Sequence, residues 1–167
     1  MFVNMMKIIG VAILSLSLVL YGLSQYEKRK ERKISIELLI DIFSRYFSEL
    51  RINKKSLSDV IKNYNSESEY IKECKKLLLN HSLYDSTVVK NSLFSDLYLD
   101  NEDEIIVKSF FEKSGKSSYV NELHLCEKVL SALEIRLDNA RDCYKKYGPL
   151  SIKLSVICAV GIAVILL

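Results

Sequence analysis

Two uncharged or nearly uncharged runs bracket a region in which apolar residues recur at helical spacing. Ile8 to Leu23, IIGVAILSLSLVLYGL, carries no charge over 16 residues, and Leu150 to Leu167 carries only Lys153 over 18. With MFVNMMK ahead of the first, and with Lys7 and Lys153 snorkelling to the interface, each nears the roughly 20 apolar residues that cross a hydrocarbon core. Residues 1–23 and 150–167 are therefore read as transmembrane helices, and residues 24–149 as a single helical domain between them.

Inside that domain the period is close to 3.6. Leu39, Ile40, Phe43, Phe47 and Leu50 line one face of a first helix. Nothing between Gly22 and Arg51 breaks a helix strongly, so this one is expected to continue straight out of the first apolar run. A polar break, NKKS, follows. Ser56 with Asp59 makes a capping pair ahead of Leu57, Val60, Ile61 and Tyr64. Ser66 and Glu69 have capping-box spacing and precede Tyr70, Cys74, Leu77, Leu78 and His81; Val89, Leu93 and Leu97 suit a further helix. Asp100 then caps a helix carrying Ile106, Phe110 and Phe111, with acids in its first turn.

The longest predicted element runs from Ser118 to Tyr147, roughly 45 Å at ~1.5 Å per residue. Tyr119, Leu123, Cys126, Leu130, Leu133, Leu137, Ala140, Tyr144 and Tyr147 alternate in steps of 4 and 3, an unbroken heptad seam. A second row, Leu125, Val129 and Ala132, widens the stripe beyond a two-stranded coil. Burial within the domain's own bundle is the favoured reading, and pairing with a second copy of the chain stays open. Gly148-Pro149 predicts a break or kink before the last apolar run.

Between Ser24 and Tyr147 there is no proline, and Gly115 is the only glycine. A β-domain would use several of each in its turns. The fold class is all-α: a helical bundle with a long heptad-patterned C-terminal helix, flanked by N- and C-terminal transmembrane helices.

Charge refines this picture. The chain carries 24 basic and 21 acidic residues, yet no Asp or Glu falls in 1–23 or 150–167. Strong basicity is absent, so nucleic acid is not an expected partner. Lys28, Arg29, Lys30, Arg32 and Lys33 follow the first apolar run, and Arg141, Lys145 and Lys146 precede the second. Positive flanks stay in the cytoplasm. A two-pass hairpin with an inward domain follows, and the same block argues against a cleaved, exported signal peptide. The cluster is also placed at anionic headgroups of the inner leaflet, at roughly 1 kcal/mol per charge. Arg51, Lys54 and Lys55 are read as a solvated corner, with docking of an acidic partner as the lesser alternative. Cys74, Cys126, Cys143 and Cys158 form no C-x-x-C and read as small apolar residues of a reducing compartment.

No catalytic chemistry emerges from the motifs. Gly115-Lys116-Ser117 ends like a phosphate-binding loop, but the required first glycine falls on Phe110, and a helix precedes it rather than a strand. A helix corner with Gly115 in a left-handed conformation, and Ser117 or Ser118 capping the next helix, is the better reading. DNEDE, Asp100 to Glu104, lacks the glycine and alternation of a calcium loop and reads as helix N-terminal charge. His81 and His124 are isolated, and no G-x-S-x-G is present. No enzyme activity, metal or cofactor is expected.

The segments MMKIIGVAILSLSLVLYGLSQYEKRKER and LDNEDEIIVKSFFEKSGKSSYVNELHLCEKVLSALEIRLDNARDCYKKYGPLSIKLSVICAVGIAVILL resemble stage III sporulation protein AB of endospore-forming bacteria, and the likeness covers essentially the whole length. Leu99, Glu102 and Asp103 match that family's acidic helix start, and Gly115 its corner glycine. Ser114 stands where the family usually has leucine, and Ser118 where it often has aspartate. The resemblance implies a membrane protein of the mother cell, in the apparatus that connects it to the forespore. The family's helical domain is similar to the cytoplasmic domain of the platform protein of type II secretion and type IV pilus machines. By that likeness the chain would be a non-enzymatic scaffold linking a cytoplasmic secretion-type ATPase to other stage III sporulation membrane proteins. The alternative from the residues themselves is a small homo-oligomeric membrane protein, holin-like or lipid-organising, assembled through its heptad helix.

Overall fold

The computed structural model describes residues 2–65, 72, 75, 76, 79, 97–116 and 118–166. It contains helices α1 (Phe2–Asn53), α2 (Leu57–Lys62), α3 (Asn101–Lys113) and α4 (Tyr119–Leu166), and no strand among the described residues. The all-α fold expected from the sequence is the fold observed. The helices predicted after Ser66 and Glu69, with Tyr70, Cys74, Leu77, Leu78 and His81, and through Val89 and Leu93, lie outside the described residues.

The ends of the elements follow from local chemistry. α1 has no proline and runs unbroken out of its apolar segment, as the sequence predicts. It closes at Lys54, which takes φ 53° while its N–H still donates to the Leu50 carbonyl at 3.2 Å. The Ser56 hydroxyl then accepts the Asp59 N–H at the start of α2. α3 opens on a complete capping box: Asp100 accepts from the Glu102 and Asp103 N–H groups, and the Asp103 carboxylate accepts the Asp100 N–H at 3.3 Å. That arrangement satisfies donors that every helix start leaves orphaned.

Of the break or kink expected at Gly148-Pro149, the break does not occur. α4 runs through Pro149 without interruption. Proline costs the ladder the bond that residue 149 would donate to the Lys145 carbonyl, and the helix continues past it.

The chain forms two compact units, Met1–Glu31 with Ala140–Leu167 and Arg32–Asn139. These boundaries fall inside the 24–149 region that the hydrophobic pattern marks as one domain. In the first unit, the N-terminal part of α1 and the C-terminal part of α4 run antiparallel. Ser15 Oγ donates to the Ala159 carbonyl at 3.3 Å, Gly22 lies against Ser151 and Ser155, and the Tyr26 and Tyr144 hydroxyls are 2.6 Å apart. Small residues at such contacts let two backbones approach closely. Both helices are long and apolar enough to cross a membrane, and their apolar windows are almost wholly exposed.

The second unit has an aromatic and aliphatic core. From α1 come Ile36, Leu39, Ile42, Phe43, Tyr46 and Leu50; from α3, Val107 and Phe110; from α4, Cys126, Val129 and Leu133. Phe43 and Phe110 pack with ring centroids 4.5 Å apart. Each fully buried large side chain of this kind contributes about 1.5–3 kcal/mol. The buried faces are rotated slightly from those predicted. Ile40 and Phe47 on α1, and Ile106 and Phe111 on α3, are only half-buried.

Candidate functional site

The start of α3 holds an ion cluster within the second unit. Asp103 is fully buried, because it shares a stripe with Val107 and Phe110 at helical spacing. Arg32 on α1 sets Nε 2.7 Å from one Asp103 oxygen, and Arg136 on α4 sets Nε 2.6 Å from the other. Both arginines also reach Asp100 Oδ2 at 2.6 Å, and Arg136 pairs with Glu102. Two guanidinium groups thus face three carboxylates, all three bound by Arg136 of α4 and two of them, Asp100 and Asp103, also by Arg32 of α1. Burial pushes the Asp103 carboxyl toward its neutral form, but the hydrogen bonds and charges of Arg32 and Arg136 outweigh it. They hold the carboxyl below the ordinary aspartate range.

A second buried carboxylate organises the corner between α3 and α4. Glu122, 4% exposed, accepts from the Tyr46 hydroxyl at 3.0 Å and the Ser114 hydroxyl at 2.6 Å. The Gly115 N–H lies 3.1 Å from both of its oxygens. Gly115 has φ 75°, the left-handed region that turns the chain out of α3. The N–H that a phosphate loop would offer to its nucleotide is therefore given to the protein's own glutamate. Burial, and then the Glu122 charge, push the Tyr46 hydroxyl pKa up and the Cys126 thiol up to about 12.

A shallow cavity of about 300 Å³ lies beside α1 and α2, lined by residues including Ser44, Ser48, Val60 and Tyr64. Its charged neighbours are already paired: Arg45 with Asp41 at 3.2 Å, and Lys55 with Glu49 at 2.9 Å. The Tyr64 hydroxyl donates to Asp41 at 2.6 Å. Burial first, and that bond second, push its pKa up to about 12.

The described residues form a helical body and a pair of apolar helices, and the sequence decides the family. A family model for stage III sporulation protein AB matches residues 7–167. The chain belongs to that family. No match was found among curated proteins or among solved structures.

The positions on which the sequence resemblance rests fall at or next to the two carboxylate clusters. Leu99 is buried, Glu102 and Asp103 bind Arg136, and Gly115 turns the corner. Ser114 and Ser118, read from the sequence as departures from the family's usual residues, both serve the corner. Ser114 uses its hydroxyl on Glu122, and the Ser118 carbonyl accepts the Glu122 N–H at 2.9 Å as α4 begins.

The heptad seam divides. Cys126, Leu133 and Leu137 are buried in the second unit, while Leu123 and Leu130 are half-buried. The basic block divides as well. Lys28 and Lys30 are exposed. Arg29 donates to the Ser151 hydroxyl at 2.6 Å, and Lys33 lies 3.9 Å from Glu37. Arg32 is turned onto Asp100 and Asp103, so its charge is used within the protein. The charge pattern does not reveal Arg136, Tyr46 or Glu122 as site residues. A signal for them exists, because each stands three or four positions from a buried apolar residue of its own helix: Leu133, Ile42 and Cys126.

Proposed function

We propose that the protein is a non-enzymatic membrane scaffold of the stage III sporulation apparatus. Both apolar helices cross the mother-cell membrane as a hairpin, and the helical body lies in the cytoplasm with Lys28 and Lys30 at the anionic headgroups. The body joins a cytoplasmic secretion-type ATPase to other stage III sporulation membrane proteins, in the manner of a secretion or pilus platform protein. The observation that carries this reading is the family match over residues 7–167. It is supported by two exposed apolar helices of spanning length and by a body whose buried carboxylates Asp103 and Glu122 are bonded to partners inside the chain.

A reporter fused after Lys90 tests the topology, and co-isolation of the cognate ATPase with the full-length chain from sporulating membranes tests the coupling. A cytoplasmic signal and specific ATPase recovery are expected. An extracytoplasmic signal, or no recovery with the other membrane components present, would overturn the reading.

A further inference from the structure

Lys54 occupies a position for which lysine is poorly suited. Its φ of 53° is a conformation that glycine or asparagine adopts readily and that costs a residue with a long side chain more. The side chain is exposed and extends toward the start of α4, with Nζ 5.7 Å from the Tyr119 ring centroid. The Tyr119 hydroxyl donates to the Arg51 carbonyl at 3.2 Å, which ties the last turn of α1 to the first turn of α4. Within the second unit these two turns form one patch.

The chemistry of the patch is uneven. Ile52 is 77% exposed and Val120 59% exposed, beside the exposed Arg51 and Lys54. Residues 50–55 and 113–121 together hold five cationic side chains and no acid. Of the three acids that flank these stretches, Glu49 pairs with Lys55, Glu122 is buried on the corner, and Glu112 is exposed at the end of α3. The charge complement of such a surface is acidic, and its two exposed aliphatic side chains call for an apolar anchor. An anionic membrane would meet the same cations. A protein segment fits better, because Ile52 and Val120 stand at a helix end and a helix start rather than along one amphipathic face.

We propose that this patch docks an acidic segment of another protein, with carboxylates on Arg51 and Lys54 and an apolar side chain against Ile52 and Val120. The inference rests on the proposed function for its readout, spore formation, and not for the identity of the partner.

The test uses the full chain in sporulating cells, with a photoreactive amino acid at Ile52 or Val120 and the variants Arg51→Glu/Lys54→Glu, Lys54→Gly and Lys54→Arg. Reversing two interface charges is expected to lower heat-resistant spores about 100-fold at unchanged membrane abundance. Lys54→Gly relaxes the backbone, so it should unfold at an equal or higher temperature and still lower spore counts about 10-fold, with Lys54→Arg near wild type. The photo-adduct should be with another protein, through a peptide of net negative charge, and should vanish in the charge-reversed chain. Wild-type spore counts in the charge-reversed or the Lys54→Gly chain would overturn the proposal. So would adducts with lipid or with a second copy, or a neutral or basic crosslinked peptide. An acidic peptide from a protein other than the secretion-type ATPase would sustain the patch and remove the ATPase from it.

Discussion

Arg136 and Asp103 meet at 2.6 Å, Nε to Oδ1, and the second Asp103 oxygen is taken by Arg32. One fully buried carboxylate is thus shared by both long helices. Pairs of this kind are weak evidence for net stability, because desolvation offsets much of the attraction, but removing one partner strands a charge. Arg136→Met is expected to destabilise the chain by roughly 3–5 kcal/mol. Asp103→Leu should cost a comparable amount, and the double variant clearly less than the sum. Chemical unfolding of the full chain in detergent measures the cycle. Additive losses would mean that the two side chains are not coupled as the geometry indicates.

The same carboxylate sets an acid limit. An unfolded aspartate titrates near pH ~3.9. In the fold Asp103 lies lower, since Arg32 and Arg136 more than offset its burial. Its contribution is therefore fully present above about pH 4 and is lost as pH falls through the folded value. Unfolding midpoints should drop in that acid window for the native chain and drop less steeply for Asp103→Asn. Parallel curves would show that other carboxylates govern acid unfolding.

The helices were legible in the sequence because their signals are local. Ser56 and Asp100 cap where their spacing predicts, and Gly115 takes the positive φ that a lone glycine between two helical runs suggests. The faces were less legible. Predicted stripes counted apolar residues alone, and so passed over Asp103, Glu122 and Arg136, which stand on those stripes as polar members. Their presence inside depends on partners from distant helices, such as Tyr46 for Glu122, and no local pattern announces such a pairing. Arg32 misleads for the same reason: in sequence it belongs to a basic block, and in space it belongs to Asp103. Pro149 misleads in the other direction, since a local breaking signal is overridden by the apolar helix around it.

The corner should respond unequally to its two halves. A Cβ at Gly115 would meet nothing within 4 Å, so Gly115→Ala costs only the left-handed backbone, about 1–2 kcal/mol. Gly115→Asn should cost less. Glu122→Ala is expected to cost more, because it leaves the Gly115 N–H and the Ser114 and Tyr46 hydroxyls without their acceptor, at roughly 1–3 kcal/mol for each one left buried. Thermal unfolding of the three variants ranks them. Gly115→Ala as the most damaging would indicate that space, not conformation, is limiting there.

In the apolar unit, the two antiparallel helices approach closely at Gly22. A Cβ there would stand 2.6 Å from Ser155 Cβ and 3.0 Å from the Ser151 carbonyl oxygen. Gly10 and Gly161, by contrast, have open space around them. Gly22→Ala should therefore force the helices apart, while Gly10→Ala and Gly161→Ala should be silent. Ser155→Gly should partly restore Gly22→Ala, because it removes the nearer obstruction and leaves the carbonyl. The readout is oxidative crosslinking of a Ser15→Cys/Ala159→Cys pair in a chain whose own cysteines are serine, since Ser15 reaches Ala159 at 3.3 Å in the native packing. A several-fold lower yield is expected for Gly22→Ala alone, because small-residue contacts between helices in lipid fall off quickly as the backbones separate. Equal yields across the glycine variants would show that the hairpin is held by its tyrosine and arginine contacts at Tyr144 and Ser151 rather than by close approach at Gly22.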